Sequence, residues 1–190
     1  TARASGAFEL VAGVDVNEAA CAEFRTTTGA PTFPSLTAAR QAVKADAALI
    51  ATPDAFHVPL SIEALEAGLD VICEKPLAET LKDARRMHDT AKRHGKLLMA
   101  HQQLRWLPMH HHAKRLVQQG QVGVLRQMEF SMTVFSDACF GGYRSKLPQL
   151  ILRDLAIHHL DLIRYLSGQD CLSIYARTFA HLQEGVTVPT

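Results

Sequence analysis

Asp46-Ala47-Ala48-Leu49-Ile50-Ala51, then Pro59 to Ala67 closed by Gly68, then Asp70-Val71-Ile72-Cys73, spell out a strand, a helix and a strand. Both apolar runs lack polar alternation, as strands covered on both faces do, and the segment between them is long enough for a helix and ends on a glycine stop. Strands joined through a helix run parallel, with the helix packed on the sheet. The pattern extends in both directions. Upstream, Phe8 to Asp15 reads as a strand, and Asn17 as the N-cap of a helix that carries Ala19, Ala20, Ala22 and Phe24 toward Gly29. Downstream, Thr80 caps Leu81 to His94, Gly95 closes that helix, and Lys96 to Ala100 forms another strand. The expected fold is α/β, a doubly wound parallel sheet. Ligands of such sheets sit outside the carboxyl ends of the strands, where Asp15, Thr52-Pro53 and Glu74-Lys75 fall.

Beyond about residue 122 the texture changes. Val124 to Phe135 alternates and carries β-formers, Asp137 to Tyr143 is loop-like, Leu152 to Leu166 is helical up to Gly168, and Leu172 to Phe179 reads as a further strand. A boundary is expected near Gly120 to Gly123, dividing residues 1–121 from an α+β domain that begins at 122 and runs to 190.

Bulk properties narrow the function classes. The 190 residues carry 20 Lys and Arg against 19 Asp and Glu, a formal charge of +1, with no basic face interleaved with aromatics, so nucleic acid is not an expected partner. The longest apolar runs fall far short of the roughly 20 residues that span a bilayer, and Thr1 to Gly6 has no signal-like pattern, so a cytoplasmic location is expected. Cysteines 21, 73, 139 and 171 form no CxxC pair and read as small buried hydrophobes.

Two constellations carry chemistry. Glu74-Lys75-Pro76 leaves the end of a buried strand, and Pro76 biases the lysine toward an extended turn. Asp154, His158, Asp161 and Tyr165 follow i, i+4, i+7 and i+11 spacing, which at about 100° per residue places them in one helical stripe. A lysine, a carboxylate and a histidine suffice to move a proton while a cofactor takes a hydride. His110-His111-His112 and His158-His159 point apart on a helix and cannot converge on one ion, so no metal is expected.

With these residues in hand, the chain resembles the Gfo/Idh/MocA family of nicotinamide-dependent oxidoreductases. The similarity runs through Val14-Asp15-Val16-Asn17, Ala51-Thr52-Pro53-Asp54 with His57, and Ala64-Leu65-Glu66-Ala67-Gly68 leading to Glu74-Lys75-Pro76. It continues through Gln103-Leu104-Arg105-Trp106 with Pro108, Gly120-Gln121-Val122-Gly123, and the helix holding Asp154, His158 and Asp161. The resemblance implies a Rossmann domain followed by a domain on an open, mostly antiparallel sheet. It implies transfer of hydride between a nicotinamide and a hydroxyl or carbonyl carbon of a sugar, inositol or related polyol, and a homo-oligomeric parent protein. The chain departs from the pattern at both ends. No glycine-rich turn precedes Thr1 and the sequence stops at Thr190, so a fragment that binds dinucleotide poorly by itself is expected. It also has Leu147 to Leu152 and Ala156 where the family is glycine-rich.

The resemblance also assigns roles. Asp154 and His158 correspond to the catalytic pair, and Lys75 steadies the substrate oxygen; whether His158 or Lys75 is the principal base stays open. Asp15, ending the second strand of the Rossmann unit, accepts the ribose hydroxyls and repels a 2′-phosphate, favouring NAD over NADP. Asn17 assists it or simply caps. Thr52, Pro53 and His57 line the cofactor, with His57 equally a surface or helix-start residue. Glu74 pairs with a cation or faces the cofactor's edge. Gln103 joins the cofactor set with Arg105, which approaches the nicotinamide or pairs with an acid, while Trp106 is expected to pack. Tyr143 and Arg144 occupy the expected substrate loop. The alternatives are an NAD-dependent glycosidase of the same family, a non-catalytic dinucleotide-binding sensor, and a non-functional truncated product.

Overall fold

The computed structural model describes residues 6–132 and 151–177, which form two compact units. The first takes residues 6–50, 58–73 and 81–99, and the second takes 51–57, 74–80, 100–132 and 151–177. Tyr143, Arg144 and Cys139 lie outside the described residues.

In the first unit, β1 (Gly13–Val14) runs parallel to β2 (Thr32–Phe33), with α1 (Glu18–Thr28) between them. Asn17 caps α1 as expected, its Oδ1 accepting the Ala19 N–H at 2.9 Å. Gly29 ends the helix in the left-handed region (φ 77°), and its N–H donates to the Arg25 carbonyl at 2.8 Å. After α2 (Leu36–Ala42), β3 (Ala47–Ile50), β4 (Asp70–Cys73) and β5 (Leu98–Ala100) form a second sheet in that order. β3 and β4 are parallel, with Ala47 opposite Asp70 and Ile50 opposite Cys73. α3 (His57–Glu66) and α4 (Leu81–His94) provide the crossovers.

Burial follows periodicity. Met87, Thr90 and Ala91 share one buried face of α4, while Lys82, Arg85, Arg86, Asp89, Lys92 and Arg93 remain exposed. Thr90 is tolerated inside because its hydroxyl donates to the Arg86 carbonyl at 2.9 Å. Leu65 of α3, Met87 of α4, and Val71 and Cys73 of β4 are fully buried apolar side chains of this unit. Gly13 is required by close approach, since a Cβ there would meet two Phe24 ring carbons at 2.7 and 2.8 Å. Gly13→Ala is therefore expected to destabilise the fold by about 1–3 kcal/mol, read as a lowered urea midpoint with unchanged slope.

Several expectations are corrected. The α/β class with parallel strands holds, but the first strand is Gly13–Val14 rather than Phe8 to Asp15, and the described strands form a two-stranded and a three-stranded sheet, with Leu49 of β3 62% exposed. Residues 124–132 and 172–177, expected to start or form strands, are not in strands, because no described segment supplies the ladder of hydrogen bonds a strand needs. Cys21 and Cys73 are buried, but Cys171 is exposed.

The second unit holds α5 (Pro108–Gln118), a π-helical segment (Ile151–Ala156) and α6 (Ile157–Ser167). Pro108 suits the first turn of α5, where its missing N–H costs nothing. Among the described residues, no helix is long and apolar enough to cross a membrane.

Candidate active site

Three chain segments of the second unit begin where β3, β4 and β5 end: residues 51–57, 74–80 and the run from Ala100 onward. They carry most of the chemistry-bearing groups.

Lys75 directly follows Glu74 after β4, and the Lys75–Pro76 peptide is cis. Its Nζ donates to the Asp154 main-chain carbonyl at 3.0 Å and to the Asp154 carboxylate Oδ1. The two side chains are only 10% and 15% exposed, so this ion pair is largely shielded from water. An ammonium has three N–H donors, so among the described residues one is left for an incoming oxygen. Glu74 Oε1 accepts from His101 Nδ1 at 2.6 Å, and its Oε2 accepts the Lys75 N–H at 3.3 Å. Glu74 is thus bound to an imidazole and to the next main-chain N–H.

The helical stripe needs one correction. Asp154 lies in the π-helical segment rather than in a continuous α-helix, so 100° steps do not relate it to His158. The wider turn nevertheless brings both its carboxylate and its carbonyl to Lys75. From α6 onward the stripe holds. His158 is 8% exposed and its Nδ1 donates to Gln102 Oε1 at 3.2 Å. Asp161 takes Arg105 in a forked pair, Nε to Oδ2 at 2.6 Å and Nη2 to Oδ1. The Arg105 guanidinium lies 5.3 Å and Lys114 Nζ 3.8 Å from the Tyr165 ring centroid. Arg105 thus pairs with an acid, the second of its expected roles. Trp106, expected to pack, is 70% exposed.

Burial lowers the His158 pKa below its ordinary 6.5, and the nearby Lys75 ammonium lowers it further. Asp154 and Asp161 oppose this, and His159 adds to it. His158 is consequently a neutral imidazole at pH 7. The unfolded chain takes up this proton near 6.5 and the native state only at lower pH, so the stabilisation is complete above 6.5 and lost as pH falls through the folded pKa. Urea midpoints are expected to drop between pH 7.5 and 5.5, and His158→Gln to drop less.

His57 is buried, with Nδ1 2.7 Å from the Pro76 carbonyl oxygen and Nε2 2.8 Å from that of Thr52. It ties the segment after β3 to the turn carrying Lys75 and is not a surface residue. Pro53 leads into the short 3-10 turn Asp54–Phe56. Among the described residues, Thr52 Oγ1 and Gln103 Oε1 are buried without a hydrogen-bond partner, an open demand for a polar group. Asp15 and Asn17 belong to the first unit, where Asp15 Oδ1 accepts the Asn17 N–H at 2.8 Å and both residues are exposed. Asn17 serves as a cap. Sequence reasoning missed His101 and Gln102, although polar residues just past the carboxyl end of a parallel strand are the signal that would have found them.

Residues 1–102 match a family model described as an oxidoreductase family with an NAD-binding Rossmann fold, and residues 110–190 one described as the GFO/IDH/MocA C-terminal domain. The inositol 2-dehydrogenase of Corynebacterium glutamicum is 30% identical over 168 residues, covering 85% of this chain and 48% of the relative. The D-apiose dehydrogenase of Paraburkholderia graminis is 37% identical over 120 residues, covering 63% and 32%. Among solved structures, the WlbA dehydrogenase of Bordetella pertussis, in complex with NADH and UDP-GlcNAcA, is similar at a TM-score of 0.57 and 34% identity, covering 60% and 33%. The chain spans about half or less of the length of these curated relatives.

Proposed function

Because the chain belongs to the Gfo/Idh/MocA family of NAD-binding oxidoreductases, we propose that it carries the catalytic groups for hydride transfer between NAD and a hydroxyl or carbonyl carbon of a sugar, inositol or related polyol. The observation that carries this reading is the shielded Lys75–Asp154 pair beside a buried, neutral His158. NAD, when bound, supplies the acceptor for the carbinol hydride. Lys75 Nζ, held by Asp154, directs its remaining N–H to the substrate oxygen and steadies the charge that develops there. His158 accepts the hydroxyl proton. Asp154 keeps the ammonium aimed.

The residues present fit the cofactor. Gln103 Oε1, a buried acceptor without a donor among the described residues, suits a carboxamide N–H, and Thr52 Oγ1 suits a polar group of the cofactor. The exposed Asp15 carboxylate favours NAD over NADP by repelling a 2′-phosphate. Tyr143 and Arg144 are assigned to the substrate, Pro53, His57, Glu74 and Arg105 to the walls and supports of the cofactor site. The same reading puts a domain boundary at residues 121 and 122, a homo-oligomer and a cytoplasmic location in the proposal.

The test is titration with NAD, followed by Trp106 fluorescence or calorimetry, on this chain and on a version preceded by a family strand and glycine-rich turn. Binding by the extended version, with NADH formed from a polyol, is the expected result. A folded extended protein with no affinity for NAD or NADP overturns the reading. In the active protein, kcat/KM for oxidation should rise with pH through an apparent pKa below 6.5 and level off by neutrality, as a neutral His158 requires.

A further inference from the structure

Gln102 approaches His158 without taking part in the hydride step, while His159 and Asp161 act on it through their charge alone. Among the described residues, Gln102 makes the one hydrogen bond to the His158 ring. Its Oε1 stands 3.2 Å from Nδ1, and among the described residues Nε2 makes no hydrogen bond. An amide oxygen only accepts, so in the neutral ring this contact requires the proton on Nδ1 and leaves the lone pair on Nε2. We propose that Gln102 is a positioning residue that selects the Nδ1–H tautomer of His158 and thereby presents Nε2 as the atom that accepts the substrate proton. This rests on the reading of His158 as the base.

The backbone around Gln102 is built for this. Its N–H donates to the Ala100 carbonyl at 2.9 Å and its carbonyl accepts the Arg105 N–H at 3.2 Å, so the side chain starts from a point held on both sides. The choice of an amide also matters. Next door, His101 Nδ1 meets the carboxylate of Glu74 at 2.6 Å, a charged partner where His158 has a neutral one. At His158 a neutral partner orders the ring without adding negative charge to that of Asp154 and Asp161, so Lys75 and burial keep it unprotonated.

The tautomer can be read without cofactor or substrate. Ring nitrogen-15 shifts of His158, recorded on the full chain at pH 7.5, should show a protonated Nδ1 and a lone-pair Nε2. Gln102→Leu should shift the ring toward Nε2–H, the form free histidine prefers. In an active preparation it should cut kcat/KM for oxidation at least about tenfold with little change in NAD affinity. Gln102→Glu should retain the Nδ1–H tautomer and move the acid limb of the pH profile upward. A lone pair on Nδ1 in the unaltered chain, or a tautomer unchanged in Gln102→Leu, overturns the proposal. The expected tautomer in a protein that binds NAD but oxidises no polyol would leave Gln102 as assigned and sink the functional reading instead.

Discussion

Lys75→Met is expected to lower kcat/KM for polyol oxidation by about 10²- to 10³-fold, the scale of losing one pre-aligned donor to a developing oxyanion. The same change should destabilise the protein. Lys75 and Asp154 are 10% and 15% exposed, and removing one member of a shielded ion pair costs about 3–5 kcal/mol. These two effects separate in a double variant. Lys75→Met with Asp154→Leu replaces both charges by apolar groups, so the urea midpoint should recover toward that of the unaltered protein while activity stays lost. Should activity return with stability, Lys75 would be a structural ion-pair partner only, and the oxyanion role would have to be given up.

The second large effect is expected at His158. Conversion to Asn removes the proton acceptor while keeping a polar side chain near Gln102, and should reduce kcat/KM by about 10²- to 10⁴-fold. Unlike the lysine change, it should leave the fold nearly as stable above pH 6.5, because a neutral ring leaves behind no unpaired charge. The acid limb of the rate profile should vanish as well, the remaining slow reaction drawing on solvent as base. A loss smaller than about threefold would assign the base to Lys75 and reduce His158 to a wall of the site.

Local rules carried the fold reading as far as local chemistry reaches. Asn17 capping α1, Gly29 ending it, and the α3 and α4 crossovers follow from residues within a turn or two of one another. The expected strand at 124–135 failed over its described part for the opposite reason: alternation says which face a strand would bury, but pairing needs a partner far away in the chain. α2 and α5 went unread although Ser35 caps the first and Pro108 opens the second, because α2 is short and α5 is dominated by histidine and charge. At the site, Lys75, Asp154 and His158 were legible and are brought together. The contacts that hold them were not: a π-helical turn has no sequence period of its own, and Gln102 meets His158 across 56 positions. Spacing along one element cannot see such pairs.

The short run after β5 limits how this site can change. His101, Gln102 and Arg105 each reach a different anchor: Glu74, His158 and Asp161. Neighbouring residues therefore hold separate parts of the site, and their order in the chain is what sorts them. An insertion or deletion of one residue between Ala100 and Arg105 would exchange the partners, setting an imidazole against His158 or an amide against Glu74. Side chains elsewhere are free to change, but the length of this run is not, so efforts to redesign the site should graft loops on either side of it and never through it.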